Sequence, residues 1–223
     1  MRFADRTEAG RRLAEKLRHL AGSALVVLAL PRGGVPVGLE VARALGAPLD
    51  LVLVRKIGAP GQPELAAGAV ADGETPHTVI NQRVVHAFGM SEAEIAEAAA
   101  REVQEIERRR QLWMQGRKRI PVSGRTVIVV DDGIATGASV QAALKAMQDA
   151  GAAHRIVAAP VAPAETAESL RKLCDEAVFL LETDDFLSVG GYYQDFHQLD
   201  DAEITELLER ARTPGQPRGV QSV

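Results

Sequence analysis

Residues 127–139 read VIVVDDGIATGAS and decide the fold. Their first four residues are apolar and β-favouring, which predicts a buried parallel strand, and Asp131 and Asp132 stand at its carboxyl end. Val140 and Leu144 then follow at helical spacing, so the intervening turn lies at a helix N-terminus. Because unpaired backbone amides point outward at such an end, the turn is a predicted phosphate site.

The residues of this turn also suit a sugar phosphate. Small residues let the backbone approach a phosphate closely, and Thr136 and Ser139 add hydroxyl donors. The two carboxylates could accept the hydroxyls of a polyol bound beside that phosphate. One turn could therefore hold a phosphate and a polyol side by side.

The strand, acid pair, Thr-Gly pair and helix, in this order, resemble the phosphoribosyl pyrophosphate (PRPP) signature of type I phosphoribosyltransferases. The resemblance implies that Asp131 and Asp132 are catalytic and bind the ribose hydroxyls. It assigns the 5′-phosphate to the following residues of the turn: Gly133, Ala135, Thr136, Gly137, Ala138 and Ser139. The alternative is an ordinary strand-turn-helix with an acidic N-cap.

Size and composition predict one α/β domain. The chain has 223 residues, of which 46% are hydrophobic and 25% charged, and these values exclude a mostly disordered chain. A net charge of −4 gives no general attraction for nucleic acid or anionic lipid, so neither is an expected partner. No membrane-spanning run or signal-peptide core is found, and we expect a cytoplasmic protein. Cys174 is the only cysteine, which excludes an intrachain disulfide.

Strands and helices alternate along the chain, which predicts an open parallel sheet flanked by helices. The predicted strands are Leu25 to Leu30, Leu51 to Val54, Val127 to Val130, Ile156 to Val161 and Ala177 to Leu181. Asp5 or Thr7 can cap a first helix, and Ser91 with Glu94 forms a capping box that opens a long one.

The remaining segments divide the chain further. The Gly, Pro and Ala content of residues 57–76 predicts a mobile loop with a short hairpin, in the position of the family's flexible active-site loop. Residues 108–110 are arginines, and Glu102, Glu105 and Glu107 lie close to them in the same helix, which favours a solvated, ion-paired face over a nucleic-acid patch. A single domain over residues 1–212, with a C-terminal hood at about residues 184–200 and a disordered tail at 213–223, is the predicted organisation.

Two further turns follow predicted strands and should lie beside the acid pair, since ligands bind outside the carboxyl ends of strands in open α/β sheets. The first contains Arg32, Gly33 and Gly34 and resembles the family's pyrophosphate loop, where a non-proline cis peptide is common. The second contains Arg55 and Lys56 and resembles the basic turn of adenine phosphoribosyltransferase, which faces pyrophosphate. The alternatives are a plain turn and a solvated strand end.

The hood residues resemble the part of hypoxanthine-guanine phosphoribosyltransferases that stacks on the base. Phe186, Val189 and Tyr192 are the candidate base contacts, and the alternative is that they only pack a C-terminal cap. Ala135 departs from that branch, which carries an acid at this position, and matches the adenine branch, whose catalytic carboxylate comes from the flexible loop. Asp72 is therefore a candidate acid/base group, and Glu64 is a second one.

The resemblance implies Mg²⁺-dependent transfer of phosphoribose from PRPP to a nitrogenous base, with a purine-like ring favoured and pyrophosphate released. Mg²⁺ would be held mainly through PRPP, with no direct protein ligand required. A homodimer is the expected assembly. The pairing of LPRGG with VRKIGAPG also resembles a group of uncharacterised bacterial phosphoribosyltransferases. A PRPP-binding regulator without efficient catalysis and a phosphoribohydrolase remain alternative functions.

Overall fold

The computed structural model describes residues 2–22, 24–73 and 75–211, without the side chain of Glu64. The predicted tail at residues 213–223 lies outside this range, as does the side chain of Glu64 as an acid/base candidate. The strands are β1 Leu25–Ala29, β2 Leu49–Leu51, β3 Val54–Ala59, β4 Gln62–Ala71, β5 His77–Ile80, β6 Thr126–Val130, β7 His154–Pro163 and β8 Glu176–Thr183. The helices are α1 Arg6–Lys16, α2 Gly34–Leu45, α3 Gln82–Phe88, α4 Glu92–Met114, α5 Ala138–Asp149, α6 Ala164–Arg171 and α7 Asp201–Arg210.

A parallel sheet of five strands forms the centre of the described chain, in the order β2-β1-β6-β7-β8. β1 is buried along its whole length, which is why it reads as a continuous apolar run. The predicted open parallel sheet is confirmed. Strand order reverses between β1 and β6, and the crevice outside their carboxyl ends is where open α/β sheets bind ligands.

Helices cover both faces of this sheet. Val27 and Ala29 of β1 belong to the core cluster that contains residues of α1, α2 and α7. Val26 and Leu28 belong to the cluster that contains residues of α5 and α6. The alternation follows from the period of two in a strand, and it buries the sheet on both sides.

Two predicted helix starts are confirmed by their caps. Asp5 accepts a hydrogen bond from the Glu8 amide at the start of α1. Ser91 and Glu94 form a reciprocal capping box at the start of α4, which continues to Met114. These contacts satisfy amide groups that a helix N-terminus would otherwise leave without a partner.

The predicted bounds of the second strand and of the loop after it were wrong. β2 ends at Leu51, and Val54 begins a separate antiparallel sheet in the order β3-β4-β5. This sheet occupies most of the segment that was predicted to be a mobile loop with a short hairpin. Small residues permit close strand contacts here: a Cβ on Gly68 would lie 2.5 Å from the Val79 carbonyl oxygen. The same small residues gave the sequence the appearance of a loop.

The basic segment of α4 was only partly predicted. Arg108 and Arg109 both pair with Glu105, as expected, and of these three residues only Arg108 is exposed. Arg110 is instead buried, and it pairs with Asp50 and Asp72. No helix among the described residues is long and apolar enough to cross a membrane.

Candidate functional site

The acid pair lies directly after β6, next to the point where strand order reverses. Asp132 is 8% exposed and Asp131 is partly buried. The Asp132 amide donates a hydrogen bond of 2.9 Å to the Asp131 carboxylate, so the two residues are linked. Burial, reinforced by the neighbouring Asp132 carboxylate, raises the pKa of Asp131 well above its usual range, whereas Arg6 acts in the opposite direction.

Arg6 contacts the acid pair and was not identified from the sequence. Its Nε donates to Oδ2 of Asp132 at 2.7 Å, and its Nη1 donates to the His197 carbonyl at 3.0 Å. Its guanidinium carbon lies 3.9 Å from the centroid of the Phe196 ring. Arg6 therefore joins α1, the acid pair and the chain before α7. No local signal marks it, because its partner is 126 residues away.

The turn after β1 packs directly against Asp132, as predicted from the sheet topology. A Cβ on Gly33 would lie 1.9 Å from Oδ2 of Asp132, and one on Gly34 would lie 2.6 Å from the Val130 carbonyl oxygen. Gly33 has an ordinary helical φ of −60°, so it is required for space rather than for an unusual backbone conformation. The peptide between Pro31 and Arg32 is cis.

The side chain of Arg32 is held by the C-terminal part of the chain. Nη1 donates to the Leu199 carbonyl at 2.8 Å, and Nη2 pairs with Asp201 at 3.0 Å. Trp113 also donates to Asp201, at 3.0 Å. The guanidinium thus anchors the turn after β1 to the start of α7. The residues of this turn that lie against the acid pair are the two glycines, Gly33 and Gly34.

The predicted phosphate turn runs from Gly133 to the N-terminus of α5. Gly137 has a φ of +75° at the N-cap, a conformation that favours glycine. Thr136, Ala138 and Ser139 are exposed, so the turn reaches the surface at the start of α5. The carbonyl of Ala135 accepts a hydrogen bond of 2.9 Å from the Thr166 hydroxyl, which braces the turn.

The candidate base contacts lie above this turn. The rings of Phe186 and Tyr192 stack with centroids 5.6 Å apart, and the Tyr192 hydroxyl donates to the Asp185 carbonyl at 2.8 Å. Val189 covers Gly133 so closely that a Cβ there would lie 2.4 Å from a Val189 methyl carbon. Val189 therefore joins the hood to the acid-pair turn.

Comparison with known proteins agrees with this geometry. The phosphoribosyl transferase domain family matches residues 4–197. The chain belongs to this family. Proteins from two Mycobacterium tuberculosis strains, both provisionally named phosphoribosyl transferases, are 44% identical over 209 residues, which is 94% of this chain and 47% of each relative. The crystal structure of TT1426 from Thermus thermophilus is 42% identical, has a TM-score of 0.82, and aligns over 96% of this chain and 100% of that chain.

The chain spans about half the length of the M. tuberculosis relatives that it matches. In the T. thermophilus structure the match covers the whole of the other chain.

Within this phosphoribosyl transferase domain, the second basic pair lies in an unexpected place. Arg55 and Lys56 are in β3, and they do not form a turn that closes a parallel strand. Nε of Arg55 pairs with Glu102 of α4 at 2.8 Å. The premise that these residues end the second parallel strand was wrong, because β2 had already ended at Leu51.

Asp72 lies in a buried ion-pair cluster at the end of β4. It accepts hydrogen bonds from Arg110 at 2.8 Å and from Arg119 at 2.8 and 3.0 Å, and its side chain is 3% exposed. Burial raises the pKa of Asp72, and Arg110 and Arg119 act against that effect. The cluster borders a cavity of about 530 Å³ that also reaches the C-terminal end of α5. These contacts join β4 to α4 and to the segment before β6.

The described residues include no group of three or more His, Cys, Asp and Glu side chains placed to hold a metal ion. The phosphoribosyl transferase domain therefore offers Mg²⁺ no closed protein cage in this part of the chain. A hard cation that keeps most of its oxygen ligands from a phosphorylated substrate needs no such cage. The described residues fit a cation that would arrive with its phosphorylated substrate and take few direct protein ligands.

Proposed function

We propose that this domain transfers phosphoribose from PRPP to a nitrogenous base and releases pyrophosphate. The observation that supports the proposal most strongly is the acid pair between two glycine turns, with Gly33 on one side and the N-terminus of α5 on the other. This arrangement offers hydroxyl acceptors and phosphate donors within one crevice. The chain's membership of the phosphoribosyl transferase domain family supports the same reaction class.

Each part of the crevice has a role in the proposed reaction. Asp131 and Asp132 accept the ribose hydroxyls, and the amides of residues 137–139 with the Thr136 and Ser139 hydroxyls bind the 5′-phosphate. The backbone at Gly33 and Gly34 approaches the pyrophosphate. Arg32 steadies that turn through its bonds to Leu199 and Asp201.

In the reaction, a bond forms between ribose C1 and a nitrogen of the base while the bond from C1 to the pyrophosphate oxygen breaks. The nitrogen loses its proton to solvent or to a protein carboxylate. Holding the two reactants in line and stabilising the charge that develops on ribose and pyrophosphate supplies most of the acceleration. Mg²⁺, when bound with PRPP, would neutralise charge on the leaving pyrophosphate.

The base is proposed to be purine-like. The stacked pair of Phe186 and Tyr192 offers an aromatic surface, and Val189 lies between that pair and the turn at Gly133. Ala135 supplies no carboxylate beside the base. The absence of a carboxylate at residue 135 favours an acceptor base whose proton is removed by another group.

Two further assignments remain part of the proposal. Arg55 and Lys56 would face pyrophosphate if β3 and β4 move toward the crevice on substrate binding. Asp72 would act as an acid or base only if it left its contacts with Arg110 and Arg119. Its present contacts favour a structural role. Assembly as a homodimer is also proposed, from the family resemblance alone.

The reaction is tested by incubating the protein with Mg²⁺ and PRPP and measuring pyrophosphate release for a panel of purine and pyrimidine bases. Release that needs one base supports transfer. Release without any base favours a phosphoribohydrolase. Saturable PRPP binding without release for any base favours the PRPP-binding regulator.

A further inference from the structure

The ion pair between Arg6 and Asp132 is enclosed by protein. The side chain of Arg6 is 10% exposed and that of Asp132 is 12% exposed, at an Nε to Oδ2 distance of 2.7 Å. Removing one partner of such a pair leaves an uncompensated charge in a poorly solvated place. Arg6 therefore supplies the positive charge that compensates the Asp132 carboxylate, and it fixes the direction of that carboxylate.

Arg6 is itself held in place by the segment that follows the hood's 3₁₀ turn, Val189–Tyr192. The Phe196 ring lies against its guanidinium, and the His197 carbonyl accepts its Nη1 hydrogen. These contacts fix the plane of the guanidinium. An arginine held in this way presents a defined donor to a carboxylate.

Backbone pairing joins the N-terminal segment to the same part of the hood. The Phe3 amide donates to the Tyr192 carbonyl at 2.8 Å, and the Gln194 amide donates to the Phe3 carbonyl at 2.8 Å. The Tyr193 hydroxyl donates to the backbone carbonyl of Asp132. Asp132 is thus restrained through its side chain by Arg6 and through its backbone by Tyr193.

We infer that Arg6 is a positioning residue for ribose recognition, which acts by fixing the Asp132 carboxylate for the hydroxyls of PRPP. This inference rests on the proposed function. Asp132 stands directly beside Asp131, and Arg6 supplies the positive charge and the hydrogen bond that hold its carboxylate in one direction. It also connects the hood, where the base would bind, to the residues that would bind ribose.

A purely structural role for Arg6 would have a different signature. Loosening α1 or the hood would disturb the neighbouring turn at Gly33 and would weaken every ligand of the crevice. Loss of direction at Asp132 would weaken only a ligand that carries ribose hydroxyls. Inorganic pyrophosphate lacks them, so comparing it with PRPP separates the two roles.

The test uses calorimetric titration of the full chain with PRPP and, separately, with pyrophosphate, both with Mg²⁺. In Arg6→Gln the dissociation constant for PRPP should rise about tenfold or more, which corresponds to about 1.4 kcal/mol. The constant for pyrophosphate should stay near that of the unaltered chain. Arg6→Lys keeps the charge without the planar fork and should lose part of the affinity.

Arg12→Gln is the matched control. Arg12 lies on the same helix, pairs with Glu8 and is 44% exposed, so its loss should leave both constants unchanged. Thermal unfolding of each variant verifies folding, and Arg6→Lys carries the test if Arg6→Gln does not fold. PRPP affinity like that of the unaltered chain in the folded variant, or equal loss of both ligands, would overturn the inference. Failure of the unaltered chain to bind PRPP would instead count against the proposed function.

Discussion

Replacing Arg110 by methionine should destabilise this domain far more than replacing an exposed arginine of the same helix. The Arg110 side chain is 5% exposed and pairs with Asp50 at 2.7 Å and with Asp72 at 2.8 Å. Methionine fills a similar volume without a charge. The variant therefore leaves two buried carboxylates without their shared cation.

The size of the effect follows from the contacts that remain. Removing one partner of a buried ion pair usually destabilises a protein by about 3–5 kcal/mol. Asp72 keeps Arg119, and Asp50 keeps the amides of Leu51 and Ile120, so the lower end of that range applies. For a chain of this size, about 3 kcal/mol lowers the melting temperature by roughly 6–12 °C.

The loss should also depend on pH. Burial raises the pKa of Asp72, and Arg110 is the first group that counteracts this effect. Without Arg110 the pKa rises further, so the folded state binds a proton that the unfolded state releases. Stability then falls as pH increases from the ordinary carboxyl range through the raised pKa. The destabilisation should be smaller in acid than at neutral pH.

Differential scanning calorimetry at several pH values measures both effects. Arg101→Met is the control, because Arg101 is on the same helix, is 63% exposed and pairs with Glu97. Its loss should change the free energy of unfolding by less than about 0.5 kcal/mol. Equal melting temperatures for the two variants, or a larger loss in acid than at neutral pH, would refute the reasoning.

Two further predictions concern the acid pair. In Gly33→Ala the new Cβ would lie 1.9 Å from Oδ2 of Asp132, so the carboxylate must move. The dissociation constant for PRPP should therefore rise about tenfold or more. A calorimetric titration measures it, and an unchanged constant would show that the contact is easily relieved. Asp131→Asn removes a carboxyl group whose pKa is raised by burial and by the neighbouring Asp132. Between the ordinary and the raised pKa, the Asp131 carboxyl group of the unaltered chain is protonated in the folded state and ionised in the unfolded state. The unaltered chain should therefore lose stability as pH rises through that pKa, and the variant should lose less; parallel curves of melting temperature against pH would contradict this.

The part of the fold that the sequence predicted is the part built from continuous apolar runs. β6 is buried from Val127 to Val130 and is followed by two acids and small residues, so strand, turn and helix could all be placed. Because parallel strands present their carboxyl ends at one edge, the approach of Gly33 to Asp132 also followed. The cis peptide before Arg32 has no signal in the residues themselves.

The part that was missed depends on contacts between distant residues. Arg6 and Asp132 are 126 residues apart, and Arg110 and Asp50 are 60 residues apart. Side-chain periodicity reports which face of an element is apolar, and it carries no information about which distant carboxylate a buried arginine meets. β4 was missed for another reason, because its Ala and Gly residues show little of the alternation between apolar and polar residues that marks a strand.

The central claim is that the acid pair between the two glycine turns binds PRPP. The most direct measurement is a calorimetric titration of PRPP with Mg²⁺ into the unaltered chain and into the Asp131→Asn and Asp132→Asn double variant. Melting curves verify that the variant is folded. We expect saturable binding to the unaltered chain and none to the folded double variant. Equal PRPP affinity in the two proteins would contradict the site and the function derived from it.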